Sequence, residues 1–177
     1  MGLTFLTGGA RSGKSTLALT LARNSGRPVS FIATAEARDD EMSRRIATHK
    51  AERPPEWPVI EEPLDLLGAL GSADDGSLIV IDCLTLWLSN AMEEGLGASD
   101  IKERSLEAAS IAAERPAGAV VVSNEVGSGI VPMSELARNY QDLLGTVNSI
   151  WAAAADDAYL VVAGRALALD RLPGTPS

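Results

Sequence analysis

The chain has 177 residues, 46% hydrophobic and only 4% aromatic, so it is expected to form one domain, spanning 1–177, with a core built from Ala, Leu, Val and Ile. A net charge of −9 argues against a nucleic-acid partner, which would need a basic face, and no apolar run approaches the ~20 residues of a membrane span. Cys83 is the one cysteine, which excludes an internal disulfide; with Met1 leading directly into strand and loop and no signal peptide visible, a cytoplasmic setting is expected.

In chain order, Leu3–Thr7 reads as a short buried strand, and Ser15 to Arg23 as a helix. Between them stand Gly8, Gly9, Ala10, Arg11, Ser12, Gly13, Lys14 and Ser15, which fit the phosphate-loop spacing of Gly, four residues, Gly-Lys-Ser/Thr. Glycines let backbone N–H groups wrap a phosphate without Cβ clashes, and the following helix N-terminus adds positive potential. In that arrangement Lys14 reaches the β- and γ-phosphates and the Ser15 hydroxyl ligates Mg²⁺. The bland alternative, a glycine-rich turn without chemistry, is hard to reconcile with the strand before and the helix after.

Asn24 to Pro28 is a stop signal, Val29–Ala33 a second strand, and Thr34 to Arg38 a loop at its C-terminal end, where open parallel sheets collect ligands. Asp39-Asp40-Glu41 starts a helix that runs to about Arg53, ahead of Pro54-Pro55. Met42 and Ile46 share one face of it. Arg45, His49 and Arg53 recur at spacing four on another face, a pattern that usually means a solvated basic stripe. Val59-Ile60-Glu61 is a short strand, and Pro63 to Leu70 a short helix with Pro in its first turn.

Ser77 to Asp82 is a buried strand ending in an acid. This is the form of the second nucleotide motif, in which a carboxylate orients Mg²⁺ or its water. Leu84 to Met92 reads as helix, as does Ser99 to about Glu114. Ala119 to Ser123 is another buried strand, and its following loop, Asn124 to Pro132, has the composition either of a site or of an ordinary connection. Met133 to about Ala155 is the longest helix, with Leu136, Tyr140, Leu143, Leu144, Val147, Ile150 and Trp151 in helical period. Tyr159 to Ala163 is a last buried strand and Arg165 to Leu172 an edge strand, with the 173–176 tail expected to fray. No repeat or linker is visible. The fold class is α/β, P-loop NTPase-like (RecA-like), with a mainly parallel sheet flanked by helices whose strand order the pattern does not reveal.

The segments GGARSGKS, IATAEARDDEM, RRIATHKAERPPEW, IVIDCLTLWLSN, SNEVGSGIVP and GTVNSIWAAAADDAYLVVAG together resemble one family almost end to end, from about Leu3 to Gly164. It is the bifunctional adenosylcobinamide kinase/adenosylcobinamide-phosphate guanylyltransferase family of cobalamin biosynthesis. The resemblance implies phosphorylation of the aminopropanol hydroxyl of adenosylcobinamide, then transfer of GMP from GTP to that phosphate with release of pyrophosphate. It implies a covalent guanylyl-histidine, and the matching position is His49, which is also the chain's one histidine. An imidazole can attack the α-phosphorus and split one transfer into two, and neighbouring Arg45, Lys50 and Arg53 would offset the triphosphate charge.

By the same resemblance Gly8 to Ser15, the loop residues Thr34, Ala35 and Glu36, and Lys50, Ala51, Glu52 and Arg53 contact nucleotide. Glu61, or with a shift of one Glu62, matches an acid of the GTP site, and Asp82 stands where the family carries Asp or Glu. Mg²⁺ on Ser15 and Asp82, GTP and ATP as substrates, adenosylcobinamide or its phosphate as acceptor, and a homotrimer with sites between subunits are implied in the same way. Two other readings stay open: a single-activity small-molecule kinase with an incidental His49, and a GTP-dependent switch. The absence of an Asn-Lys-x-Asp guanine motif speaks against the switch.

Overall fold

The computed structural model describes residues 2–171, with the side chain of Arg45 outside the description. Seven strands form one sheet in the order β3-β2-β4-β5-β1-β6-β7. The strands are β1 Leu3–Thr7, β2 Val29–Ala33, β3 Val59–Glu61, β4 Leu78–Asp82, β5 Ala119–Val122, β6 Asp157–Val162 and β7 Arg165–Ala168. All neighbours pair parallel except β6 and β7, which form an antiparallel hairpin with Val162 opposite Arg165. Ala163 and Gly164 make the two-residue turn between them, both at positive φ, the twist a tight hairpin prefers.

The inner strands are continuous apolar runs because both faces are covered, and alternate residues feed two separate cores. Leu3, Phe5, Ile32, Ile79, Ile81, Ala119 and Val121 face one side. There they meet α3 Leu66–Ser72, α4 Leu84–Glu93, α5 Ala98–Glu114 and α6 Glu135–Ala154. Leu6, Phe31, Leu78, Val80, Val120 and Val122 face the other side and pack on Ala18, Leu19 and Ala22 of α1 Lys14–Asn24. The two tryptophans buried among the helices each satisfy their indole N–H: Trp151 donates to Ser105 Oγ at 3.1 Å and Trp87 to the Leu64 carbonyl at 3.0 Å.

α2, Asp40–Glu52, is different. Asp39 caps it by accepting from the Met42 N–H at 2.6 Å, but none of its described side chains is buried. It is tied down at its C-terminal end by polar contacts. Arg53 donates from Nε to the His49 carbonyl at 3.0 Å and lays its guanidinium 4.2 Å from the Phe31 ring centre. Arg23 donates to the Glu52 carbonyl at 3.0 Å, and Lys50 pairs with Glu61 at 2.5 Å.

Several expectations need correction. The helix expected from Pro63 begins at Leu66 instead. Glu62 accepts from the N–H groups of both Leu64 and Asp65, which turns the chain first, and Asp65 then caps Gly68. The longest helix begins at Glu135 behind the Ser134 cap, leaving Met133 outside it and 98% exposed. β7 stops at Ala168; Leu172 and the tail lie outside the described residues. Arg53 is no member of a solvated stripe: it sits past the helix end, buried against Phe31.

Candidate nucleotide site

Strand order assembles the site. β5 lies between β1, which leads into the phosphate loop, and β4, which ends in Asp82. In a parallel sheet the C-terminal ends of these strands open on one edge, and the loop, Asp82 and the segment after β5 all emerge there. Gly8 and Gly13 take positive φ, and Arg11 also lies in the left-handed region at φ 55°. A Cβ on Gly8 would run into the Val161 carbonyl oxygen, so the tight approach of loop to β6 requires glycine. The hairpin turn supports the loop as well, since Gly164 N–H donates to the Ser12 carbonyl at 2.8 Å. The Glu125 N–H donates to the Gly8 carbonyl at 3.0 Å and fixes the loop's other end.

Lys14 lies across the loop, its ammonium donating to the Gly8 and Gly9 carbonyls at 2.8 and 2.7 Å. Burial lowers its pKa, and the charges of Cys83 and Asp82 act in the opposite direction. Ser15 follows it in the first turn of α1. The Asp82 carboxylate is mostly covered, and His49 Nδ1 lies 3.6 Å from its Oδ2. Arg53 is drawn into the same field: burial lowers its pKa, while Asp82 and Glu61 raise it. The structure thus joins Lys14, His49, Arg53 and Asp82 from three separate sequence motifs.

Thr34 is completely buried, and its hydroxyl is committed to backbone: it donates to the Cys83 carbonyl at 2.7 Å and accepts from the Cys83 N–H at 2.9 Å. Its own N–H donates to the Asp82 carbonyl at 3.2 Å. The Thr34 side chain therefore clamps β2 to the end of β4 and holds Asp82 in place. Ala35 and Glu36 line a cavity of about 360 Å³ with Ala37, Arg38, Glu61 and Pro63. Arg38 bridges Glu36, Glu93 and the Asn90 carboxamide oxygen. Ala51 and Glu52 are exposed at the end of α2.

Sequence reasoning missed the residues that shape the loops. Asn90, buried in α4, donates to the Thr34 and Pro63 carbonyls at 2.8 and 3.2 Å. Asn148 of α6 donates to the Asn124 carbonyl at 3.0 Å, and Thr85 accepts from the Asn124 N–H at 2.9 Å. A carboxamide within an apolar helical stripe was the available signal for both asparagines. Ser123 Oγ and Thr7 Oγ1, at the ends of β5 and β1, are buried with no hydrogen-bond partner among the described residues.

No cluster of three or more His, Cys, Asp or Glu suited to a metal occurs among the described residues. Mg²⁺ does not need one. It is commonly held by one or two protein oxygens with water and substrate phosphates, and Ser15 Oγ with the Asp82 carboxylate is such a donor set.

Phosphate loop, buried lysine and strand-end carboxylate, with a strand between the last two, define a P-loop nucleotide enzyme. Two solved structures have this fold. The ATPase EscN of the E. coli type III secretion system matches with TM-score 0.58 at 13% identity, over 92% of this chain and 43% of that one. The RadB recombinase matches with TM-score 0.52 at 19% identity, over 90% and 73%. The family model for "Cobinamide kinase / cobinamide phosphate guanyltransferase" matches residues 4–169, and the chain belongs to that family. It is 44% identical to the bifunctional adenosylcobalamin biosynthesis protein CobP of Pseudomonas aeruginosa, over 95% of this chain and 97% of that one. With CobU of Escherichia coli it shares 38%, over 92% and 96%. It is an enzyme, with the cobinamide kinase and cobinamide phosphate guanyltransferase activities that define the family.

Proposed function

We propose that one nucleotide cradle serves both activities, and that GMP passes through a covalent guanylyl-histidine on His49. In the first activity the aminopropanol hydroxyl of adenosylcobinamide takes the γ-phosphoryl group of ATP or GTP. In the second, GMP from GTP reaches the new phosphate. The observation that carries this reading is the chain's one histidine 3.6 Å from Asp82, the acid at the strand end next to the phosphate loop, although no described side chain of α2 is buried to bring it there.

Lys14 is set to swing from the Gly8 and Gly9 carbonyls to the β- and γ-phosphates, exchanging two neutral acceptors for charged ones. The N–H groups of the loop and of the first turn of α1 take the remaining oxygens. Ser15 and Asp82 would hold Mg²⁺, which when bound neutralises charge between the phosphates. Arg53 and Lys50 face the same region from the end of α2. The cavity of Ala35, Glu36 and Glu61 suits the base: a carboxylate there can accept from the N1–H and 2-amino groups of guanine, a donor pair that adenine lacks. A cytoplasmic setting and a trimer completing sites between subunits belong to this reading; no helix among the described residues is long and apolar enough to cross a membrane.

The test is His49→Ala. Direct γ-transfer to a hydroxyl needs no histidine, so conversion of adenosylcobinamide to its phosphate should persist. Labelling from α-³²P GTP and formation of adenosylcobinamide-GDP should vanish. Wild-type labelling in this variant would overturn the reading, because no second histidine exists to carry an acid-labile adduct.

A further inference from the structure

We infer that Asp82 is the positioning residue for His49. It accepts the Nδ1–H of the imidazole, so that Nε2 is the atom that attacks GTP and carries GMP. This rests on the guanylyl-histidine reading and adds to it the atom, the tautomer and the group that sets them.

The two partners differ in how firmly they are held. Asp82 ends a strand whose Leu78, Ile79, Val80 and Ile81 are wholly buried, and its carbonyl is bound by the Thr34 N–H. Its backbone is therefore fixed, and its carboxylate, 15% exposed, projects from a rigid strand end. His49 lies near the end of a helix with no buried described side chain, anchored by Arg53, Arg23 and Lys50 rather than by a core. The side chain of His49 is 43% exposed, so packing holds the ring only in part, and the Asp82 carboxylate stands beside it. The ring nitrogen facing Asp82 is Nδ1, at 3.6 Å from Oδ2. A movement of α2 by under about 1 Å brings this to hydrogen-bond length. Once Nδ1–H donates to that carboxylate, ring geometry directs the Nε2 lone pair away from it.

The arrangement suits the chemistry step by step. A neutral imidazole with its proton on Nδ1 has its lone pair on Nε2. That pair forms the Nε2–P bond with the α-phosphorus of GTP. The bond from the α-phosphorus to the bridging oxygen breaks, and pyrophosphate leaves with the electron pair. The ring keeps its Nδ1 proton throughout and becomes an N-phosphorylated imidazolium, whose positive charge faces the Asp82 carboxylate. In the second half a phosphate oxygen of the acceptor attacks the same phosphorus, the Nε2–P bond breaks, and its electrons restore the neutral ring. No external acid or base is needed. The carboxylate stabilises the cation that forms while fixing the tautomer, as carboxylates do beside other reactive histidines. An ionised carboxylate has about four acceptor sites, so Oδ1 stays available for the cation bound with nucleotide.

A single histidine makes the test clean. Long-range ¹H–¹⁵N spectra of the full-length protein at mildly alkaline pH report the tautomer of His49 alone. The wild type should be mainly the Nδ1–H form, whereas free imidazole side chains favour Nε2–H. Asp82→Ala should reverse the ratio, and Asp82→Glu should restore much of it. GMP on a proteolytic peptide of the wild type should be linked through Nε2. In single turnover at saturating metal, Asp82→Ala should slow labelling of His49 by about 100-fold or more. Because the tautomer and the linkage are also read on the wild type, a poorly folding variant does not spoil the test. An Nδ1 linkage, a wild type mainly in the Nε2–H form, or a tautomer ratio independent of residue 82 would each overturn the positioning role while leaving the guanylyl-histidine intact. A wild type that takes no GMP on His49 would overturn both.

Discussion

Thr34 separates a structural part from a ligand contact, and Thr34→Val puts a number on the difference. Valine keeps the shape but removes both bonds to Cys83, in a residue with no solvent exposure. The two backbone groups suffer unequally. The Cys83 N–H loses the hydroxyl acceptor it has in this structure and is left buried, at a cost of about 1–3 kcal/mol. The Cys83 carbonyl still accepts from the Trp87 N–H at 3.2 Å, so its loss is nearer the net value of one bond, about 1 kcal/mol. The sum is about 2–4 kcal/mol, which for a chain of this size lowers Tm by about 5–15 °C. Urea unfolding without nucleotide measures it. Kinase turnover should fall as well, because Asp82 adjoins the loosened peptide, whereas the KM for nucleotide should move little. A stability loss below about 0.5 kcal/mol together with a large rise in nucleotide KM would refute the clamp and make Thr34 a direct ligand contact.

Lys14→Ala should lower kcat/KM of both activities by about 100-fold or more, since two charge-assisted contacts at about 1.5–3 kcal/mol each are lost; unchanged kinase turnover would refute the phosphate-loop assignment. Burial, with a smaller contribution from the charge of Cys83, raises the Tyr140 pKa from 10.0 to about 12, while its hydroxyl donates to the Thr85 carbonyl at 3.0 Å. The unfolded phenol therefore loses its proton first as pH rises. The stability this group contributes is whole below pH 10 and is lost toward pH 12. Tyr140→Phe should flatten the fall of Tm across that window, and parallel curves for the two proteins would refute it.

What could be read from the sequence was local. β1 and β2 appear at their expected limits because strands buried on both faces are unbroken apolar runs. The phosphate loop is legible because its function needs fixed spacing between adjacent residues. Strand order is not, because any right-handed crossover carries the chain to either neighbour, and the position of β5 between β1 and β4 depends on which cores close best. The contact of His49 with Asp82 follows from that order and was invisible for the same reason. Thr34 stands among the nucleotide contacts by resemblance alone, and only its burial reveals that its hydroxyl is bonded to Cys83. Spacing places Arg53 on one face with Arg45 and His49, but it does not show that the helix ends one residue before Arg53 or that the guanidinium packs on Phe31.

The polar character of α2 has a physical consequence for an enzyme with two chemistries. An apolar face would bind this helix to the sheet through several buried side chains, each worth about 1.5–3 kcal/mol, and would commit the site to one geometry. Here the attachments include Arg53 on Phe31, two hydrogen bonds to carbonyls near the helix end, the Lys50–Glu61 pair and the approach of His49 to Asp82. Of these, the exposed Lys50–Glu61 pair contributes at most about 1 kcal/mol, and Arg53 is buried. Asp82, the phosphate loop and the Thr34 clamp are by contrast built into or against the core. On the reading proposed above, the rigid part of the site is the part that γ-transfer requires. The group needed only for guanylyl transfer is then carried on a helix held by polar contacts, and its orientation is set from the rigid side.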